Sequence, residues 1–272
     1  MAVTMAEITK LRTMTGAGMM DCKNALIEAE NDFDKAIEII RKKGQAVAAK
    51  RSDREASEGC VLANAENGFA AVLALKCETD FVAKNADFIA LTQSILDKAM
   101  AEKPESLNAL KALTIDGRSI ENLVVDRSGI TGEKMEIDYY EFVKGGNTVA
   151  YIHPGNKLAT VVAFAEENVD RQVARDVAMQ AAAMNPVSLD RNSVPEKVIE
   201  SELEIGREKA REEGKPENIL DKIAQGRLNK FFQESTLLEQ SFIKDSKTTV
   251  ADYLKANKAT AVDFKRVSLN QE

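Results

Sequence analysis

The sequence contains few of the side chains that most catalytic sites require. It has one histidine, His153, and no tryptophan, and its three cysteines are scattered without a CxxC pair. A single histidine disfavours a catalytic triad, a histidine-based acid–base pair and a histidine metal cage. Three isolated cysteines favour neither a disulfide framework nor a zinc site. We therefore expect a protein that is not an enzyme and that uses no metal and no cofactor.

Long apolar runs are also missing. No segment approaches the roughly 18 uninterrupted apolar residues that cross a membrane. The first residues, MAVTMAEITKLR, lack the basic start and apolar block of a secretion signal. The sequence thus predicts a cytoplasmic protein that makes no membrane contact.

Basic residues are fewer than acidic residues, and the 272 residues carry a formal net charge of −7. This balance disfavours direct binding to nucleic acid. A local exception lies in residues 41–54, where one acid accompanies six basic side chains: Arg41, Lys42, Lys43, Lys50, Arg51 and Arg54. The segment is either a solvated helical linker or a nucleic-acid contact. A linker is favoured, because no aromatic residues interleave to stack on bases.

Residues 1–54 predict a small helical module and its linker. Thr4 and Glu7 form a capping-box pattern at the start of a helix, and the glycines of TGAG end it. Apolar spacing predicts a second helix around Leu26 and a third that stops at Gly44. Three helices in this length are typical of a bundle of the ubiquitin-associated (UBA) type.

The next segments predict an α+β core with an internal duplication. Two strands flank Asn67-Gly68, a strong β-hairpin signal, and a helix follows from about Phe81 to Ala101. Residues 139–167 again contain strands about glycine-rich turns, and a second helix follows them. Two copies in the same order predict two antiparallel sheets, each with a helix across one face. We assign residues 55–138 to the first core subdomain, and residues 139–185 and 234–272 to the second.

Residues 186–233 predict an antiparallel helical hairpin of coiled-coil type, inserted into the second subdomain. Apolar residues such as Val198 and Leu203 mark one arm, Gly214 marks the turn, and Leu228 marks the returning arm. An arm of about 20 residues would be roughly 30 Å long. Packing on the core and self-association into a homodimer are equal alternatives for this hairpin.

Two unusual strings carry a family resemblance. LRTMTGAGMMDCKNAL, residues 11–26, and ETDFVAKN, residues 78–85, resemble the two signatures of the translation elongation factor Ts family. The order of the predicted segments is similar to that of the family over nearly the whole chain. Some members continue into a C-terminal helical extension, whereas this chain ends at Glu272, so we expect any contact of that extension to be missing.

The resemblance implies a guanine nucleotide exchange factor whose partner is elongation factor Tu, in its GDP-bound and nucleotide-free states. In the family, a tetrad pushes into the GTPase domain of that partner, where its aromatic side chain helps to dislodge Mg²⁺. The matching residues here are Thr79, Asp80, Phe81 and Val82.

A plainer interpretation of this tetrad comes from the residues themselves. Thr79 or Asp80 can cap a helix and complement its dipole. At 100° per residue, Phe81 falls in the apolar arc of Phe88 and Ile95, and periodicity alone therefore favours a buried ring.

The remaining matched positions imply docking contacts. The resemblance assigns the N-terminal contact to Arg12, Met19, Met20 and Lys23, and a core contact to His153. Methionine suits an adaptable apolar interface, although ordinary packing within the bundle is an equal alternative for each one.

Two rival functions remain. A UBA-like adaptor without exchange activity predicts that residues 1–54 alone retain binding. A small-molecule α+β enzyme would need a polar pocket between the two sheet copies, and the sequence offers no convergent histidine, cysteine or carboxylate set for one.

Overall fold

A computed structural model describes residues 3–270 of the chain. Its α-helices are α1 (Met5–Thr15), α2 (Met19–Glu28), α3 (Phe33–Lys50), α4 (Asp80–Ala83), α5 (Ala86–Glu102), α6 (Leu107–Ala112), α7 (Ile120–Thr131), α8 (Arg171–Met184), α9 (Glu196–Glu212), α10 (Leu220–Ser235) and α11 (Val250–Ala256). Its strands are β1 (Glu58–Glu66), β2 (Phe69–Cys77), β3 (Thr114–Ile115), β4 (Arg118–Ser119), β5 (Glu136–Lys144), β6 (Asn147–Ile152), β7 (Leu158–Phe164), β8 (Ser241–Phe242), β9 (Asp245–Thr249) and β10 (Ala261–Ser268). Over this range, no helix is both long enough and apolar enough to cross a membrane.

The chain divides into two compact units. The first unit contains the described residues up to Leu62, Leu73–Tyr140, and Leu269 with Asn270. The second unit contains Ala63–Val72 and Glu141–Ser268. The N-terminal helices α1–α3 therefore share a unit with α4, α5 and α7.

The three N-terminal helices enclose a small apolar core. The predicted capping box is confirmed, since the Glu7 N–H donates to Thr4 Oγ1 over 3.3 Å and the Thr4 N–H donates to Glu7 Oε2 over 2.8 Å. Gly16 ends α1 with a φ of 72°, which glycine adopts readily. Leu11 and Leu26 are buried between the helices, and Met19 packs on the same cluster.

The predicted end of α3 at Gly44 is wrong, because this helix continues to Lys50. Gly44 is buried in the crossing of α3 and α7, where it faces Gly129. A Cβ atom added to Gly129 would lie 2.1 Å from the Gly44 Cα. The glycine at position 44 thus permits a close helix–helix approach, and the basic segment forms the last turns of α3 and the turn after it.

The fold class is α+β, as predicted, with helices and antiparallel strand pairs. Asn67 and Gly68 have φ values of 51° and 72°, the left-handed pair expected of a type I′ turn between β1 and β2. One sheet has the strand order β1-β2-β5, and a second has the order β10-β7-β6 with both pairs antiparallel.

Strand β5 departs from the simple duplication, because it borders β2 and not β6. Gly145 and Gly146 separate β5 from β6 along the chain. A Cβ atom on Gly145 would lie 2.5 Å from the Phe164 carbonyl oxygen. The chain between β5 and β6 thus passes close to the end of β7, where a side chain at position 145 would not fit.

Helices α9 and α10 form the predicted helical hairpin. Gly206 allows their close approach, since its Cβ position lies 3.0 Å from the Ala224 Cα. Leu228 and Phe232 are buried at the base of the hairpin with Val194. Arg207 pairs with Asp221 over 2.7 Å across the two arms.

Candidate partner-binding site

The string ETDFVAKN forms a short helical turn that is separate from the helix after it. Thr79 is the N-cap of α4, whose four residues end at Ala83. Asn85 then caps α5 by accepting a hydrogen bond from the Asp87 N–H over 2.9 Å. The predicted single helix from Phe81 to Ala101 is therefore two helices.

This break explains why periodicity is wrong about Phe81. The 100° phase of α5 does not extend back through Asn85, so Phe81 does not share the apolar arc of Phe88. Phe81 is 85% exposed, whereas Phe88 and Ile95 are fully buried. A large aromatic ring thus points into solvent from the end of β2 and the start of α4.

The other tetrad residues support this tip, which we define as Thr79–Val82. The Thr79 hydroxyl accepts a hydrogen bond from the Val82 N–H over 3.4 Å. Asp80 pairs with Lys84 over 2.6 Å, one helical turn away. This hydrogen bond raises the pKa of Lys84 above its ordinary value. Val82 is half-buried, and Ala83 beside it is buried.

A carboxylate from a distant part of the sequence holds the start of the tip. Glu133 Oε2 accepts hydrogen bonds from the backbone N–H groups of Glu78 and Thr79, each over 3.1 Å. Glu133 Oε1 accepts a hydrogen bond from the Thr79 hydroxyl over 2.6 Å. One side chain thus satisfies three donors at the junction of β2 and α4.

Glu78 makes the reciprocal contacts. Its Oε1 accepts a hydrogen bond from the Lys134 N–H over 2.7 Å, and its Oε2 lies 3.2 Å from Arg54 and 3.6 Å from Arg51. The Lys134 N–H and the two arginines hold the pKa of Glu78 below its ordinary value. Two residues of the basic segment are therefore ion-pair partners of the residue that precedes the tip.

The cysteine in this region has a thiol of low reactivity. Cys77 is buried at the end of β2, and its thiol donates to the Thr79 carbonyl oxygen over 3.2 Å. Burial and the nearby Glu133 carboxylate raise the pKa of Cys77 to about 12. The thiolate required for nucleophilic chemistry is therefore scarce at neutral pH.

The N-terminal module presents a second surface in the same unit. Met20 is 64% exposed and Lys23 is exposed one turn later, whereas Met19 is half-buried on the bundle core. Arg12 is exposed near the end of α1. Met19 and Met20 therefore differ in burial, a difference that the sequence alone does not predict.

Helix α7 connects this module to the helix that follows the tip. Arg127 donates to Asn85 Oδ1 over 3.2 Å and pairs with Asp87 over 3.2 Å. Asp87 also lines a shallow depression with Arg12 and Gly16. The first turn of α5 thus lies beside the end of α1, within one unit.

His153 lies in the second unit, on an exposed turn after β6. Its Nδ1 atom is 3.0 Å from the Tyr151 hydroxyl, and its backbone N–H donates to the Leu158 carbonyl oxygen over 2.8 Å. The Tyr151 contact holds the ring, and the backbone hydrogen bond holds the turn that carries it.

Sequence reasoning missed two residues of interest. Glu133 is 54 positions from Thr79 and gives no local signal, so only the fold reveals it. Ile27 is 55% exposed and follows Met20 by seven residues on α2, so it extends the same exposed helix face. Its heptad spacing from Met20 could have indicated it.

Within residues 3–270, no group of three or more histidine, cysteine or acidic side chains is arranged to hold a metal ion. The candidate site consists of exposed surfaces and one projecting aromatic ring.

The chain matches a known protein family. A model of the family described as Elongation factor TS matches residues 78–271. The chain belongs to this family.

Curated relatives match over the full length. A protein named Elongation factor Ts from Porphyromonas gingivalis is 61% identical, one from Azobacteroides pseudotrichonymphae is 56% identical, and one from Bacteroides thetaiotaomicron is 48% identical. In each case the match covers 100% of both chains. Membership of the elongation factor Ts family implies a role in translation elongation, as a nucleotide exchange factor for elongation factor Tu.

Proposed function

We propose that this protein accelerates GDP release from elongation factor Tu by inserting Phe81 into the GTPase domain of that partner. The observation that carries the proposal is the 85% exposure of Phe81 on a turn whose backbone is held by Glu133. Exposed aromatic rings are frequent hot spots in protein interfaces, because they bury a large area with little loss of side-chain freedom.

The inserted ring acts on the partner's Mg²⁺ site. Mg²⁺ bridges the nucleotide phosphates to a GTPase and requires near-ideal octahedral geometry. A small displacement of the elements that hold this ion therefore weakens the whole nucleotide site. No bond is made or broken by this protein.

Reciprocal coupling sets the energy required. If this protein binds nucleotide-free partner more tightly than GDP-bound partner, GDP and the protein weaken each other's binding by the same factor. A ten-thousandfold loss of nucleotide affinity requires about 5.5 kcal/mol of differential binding. Several contact surfaces with one buried aromatic ring are adequate for this coupling.

Docking surfaces accompany the tip. The UBA-like module of residues 1–54 contributes Arg12, Met20 and Lys23, with Met19 supporting them from the bundle core. His153 contributes a contact from the second unit. The core subdomain of residues 55–138 carries the tip, and the core subdomain of residues 139–185 with 234–272 carries His153. The coiled-coil hairpin of residues 186–233 supplies a self-association surface.

The test is stopped-flow release of a fluorescent GDP analogue from elongation factor Tu. Phe81→Ala is expected to lower the stimulated rate by about tenfold or more, the loss typical of one hot-spot side chain. Tyr139→Ala is a matched control, because Tyr139 is also an exposed aromatic residue of the first unit, at 43% exposure. Its rate should equal that of the wild type.

Each alternative has a distinct outcome. Equal stimulation by wild type and Phe81→Ala would contradict the insertion of the ring. A wild-type protein that binds elongation factor Tu without accelerating GDP release would contradict exchange activity. An adaptor function would follow if residues 1–54 alone retained the full binding affinity.

A further inference from the structure

The tip needs an external support, because four residues cannot form a stable helix alone. Helix nucleation is unfavourable, and isolated helices shorter than about 12 residues are marginal in water. Helix α4 has four residues, and Ala83 is the one that it buries. Contacts at its start, where the Glu133 carboxylate lies, therefore contribute to its orientation.

Glu133 is itself held firmly. It follows Gly132, which ends α7 with a φ of 74°. The Ser128 hydroxyl donates to the Glu133 carbonyl oxygen, and the Glu133 N–H donates to Thr131 Oγ1 over 3.3 Å. The carboxylate is thus presented from the capped end of a 12-residue helix.

The hydrogen bonds between the two segments are reciprocal. Glu133 accepts from Glu78 and Thr79, while Glu78 accepts from the Lys134 N–H. Hydrogen bonds to a charged acceptor are roughly twice as strong as those between neutral groups. Two carboxylates and three backbone N–H groups therefore fix the end of β2 against the end of α7.

We propose that Glu133 is a positioning residue for nucleotide exchange: its carboxylate holds the backbone of Glu78 and Thr79, so that the Phe81 ring is preset for insertion into the partner. This inference rests on the proposed function. Phe81 makes the contact, and Glu133 acts through it. Loss of the carboxylate should lower the maximal rate of GDP release more than it weakens docking, because docking uses other surfaces as well.

The first measurement uses the free protein and does not depend on exchange. Amide hydrogen exchange by NMR is compared for wild type, Glu133→Gln and Glu133→Ala. In Glu133→Ala, the amides of Glu78 and Thr79 should exchange about tenfold faster or more, because they lose a charged acceptor. Glu133→Gln keeps one acceptor oxygen and should give an intermediate result. Unchanged exchange at both amides would overturn the proposal.

The second measurement is stopped-flow GDP release over a range of elongation factor Tu concentrations. Glu133→Ala should reduce the maximal rate about fivefold to tenfold, because the Phe81 ring would adopt the inserting orientation for a smaller fraction of the time. The half-saturating concentration should change less than twofold. Glu133→Gln should recover part of the rate. Glu105→Gln, an exposed carboxylate in the same unit, is the control and should match the wild type.

The double variant separates positioning from general stability. If Glu133 acts through Phe81, Glu133→Ala should cause no further loss of rate when Phe81 is already alanine. Additive losses would overturn the positioning role, as would an effect confined to the half-saturating concentration.

If Glu133→Ala does not fold, Glu133→Gln carries the same comparison. A different outcome would be faster amide exchange in the variants together with a wild-type protein that does not stimulate GDP release. This outcome would contradict the proposed function and therefore the positioning role. The hydrogen bonds of Glu133 would then remain only a structural feature.

Discussion

At the scale of the residue, two adjacent methionines have opposite environments. Met19 is the first residue of α2 and packs on the core of the N-terminal helices, whereas Met20 is 64% exposed. Lys23 and Ile27 lie on the same face of α2 as Met20. An exposed methionine beside a basic residue suits an adaptable interface, because its side chain has three rotatable bonds and a polarisable sulfur.

Alanine substitutions should separate these roles. Met20→Ala should weaken binding to elongation factor Tu by about 1–2 kcal/mol and leave thermal stability unchanged, since it removes exposed apolar surface. Met19→Ala should lower the free energy of unfolding by about 1–3 kcal/mol, since it removes packing from the bundle core. Titration calorimetry and thermal unfolding measure the two effects. Equal binding losses without any change in stability would place both methionines in the interface.

The sequence identified Phe81 as a candidate through the string ETDFVAKN and not through periodicity. Apolar spacing predicted a buried ring because it assumed one uninterrupted helix. Asparagine is a favourable N-cap residue, and Asn85 marks the start of the second helix, α5. The role of Glu133 could not be predicted from the sequence, because a carboxylate that binds backbone N–H groups of a distant segment has no sequence pattern.

At the scale of the element, the crossing of α3 and α7 joins the N-terminal helices to the rest of the first unit. Gly44 and Gly129 face each other at this crossing, with backbone atoms in close approach. Glycine in a helix interior is destabilising relative to alanine, so its presence in both helices indicates a packing requirement.

Gly129→Ala should therefore destabilise the protein. The added Cβ atom would lie 2.1 Å from the Gly44 Cα, and backbone atoms cannot move aside as a flexible side chain can. We expect a loss of about 1–3 kcal/mol in the free energy of unfolding. Gly226→Ala is the control, because this exposed helical glycine of α10 has open space around its Cβ position. The control should be stabilised by roughly 0.5–1 kcal/mol, and a similar gain for Gly129→Ala would contradict the packing argument.

Elements with strong local signals were predictable, and those fixed by long-range contacts were not. The capping box at Thr4 and the turn at Asn67-Gly68 are encoded within four residues, and both were found. The predicted helix end at Gly44 is wrong, because a glycine that ends a helix and a glycine that permits a helix crossing look alike in sequence. The place of β5 beside β2 depends on sheet pairing that local patterns do not specify.

At the scale of the whole molecule, stability should depend on pH through carboxylates whose pKa values are lowered by folding. Asp176 is buried in the second unit. Burial itself opposes ionisation, but hydrogen bonds from Lys244, Gln172 and Tyr253 outweigh it and lower the pKa of Asp176. The Lys244 Nζ atom lies 2.6 Å from the Asp176 carboxylate, and the Tyr253 hydroxyl lies 3.0 Å from it.

Because the pKa of Asp176 is lower in the folded protein, its ionised carboxylate stabilises the fold at pH values above the unfolded-state pKa of about 3.9. This stabilisation is lost as the pH falls through the folded-state pKa. The melting temperature of the wild type should thus fall below about pH 4. Asp176→Asn should cost about 1–3 kcal/mol at pH 7 and show a weaker decline in acid. Glu200→Gln, which alters an exposed carboxylate of α9, is the control and should follow the wild type. A parallel acid decline in Asp176→Asn and wild type would contradict the assignment.

The burial of Cys22, Cys60 and Cys77 makes the molecule easy to label at a chosen place. Maleimide dyes react with accessible thiolates, and burial raises the pKa of both Cys22 and Cys77. A Lys84→Cys variant would therefore carry its one reactive thiol two residues beyond the tip, with Phe81 left in place and the Asp80–Lys84 ion pair removed. An environment-sensitive fluorophore at that position would report the arrival of the ring in its partner in real time.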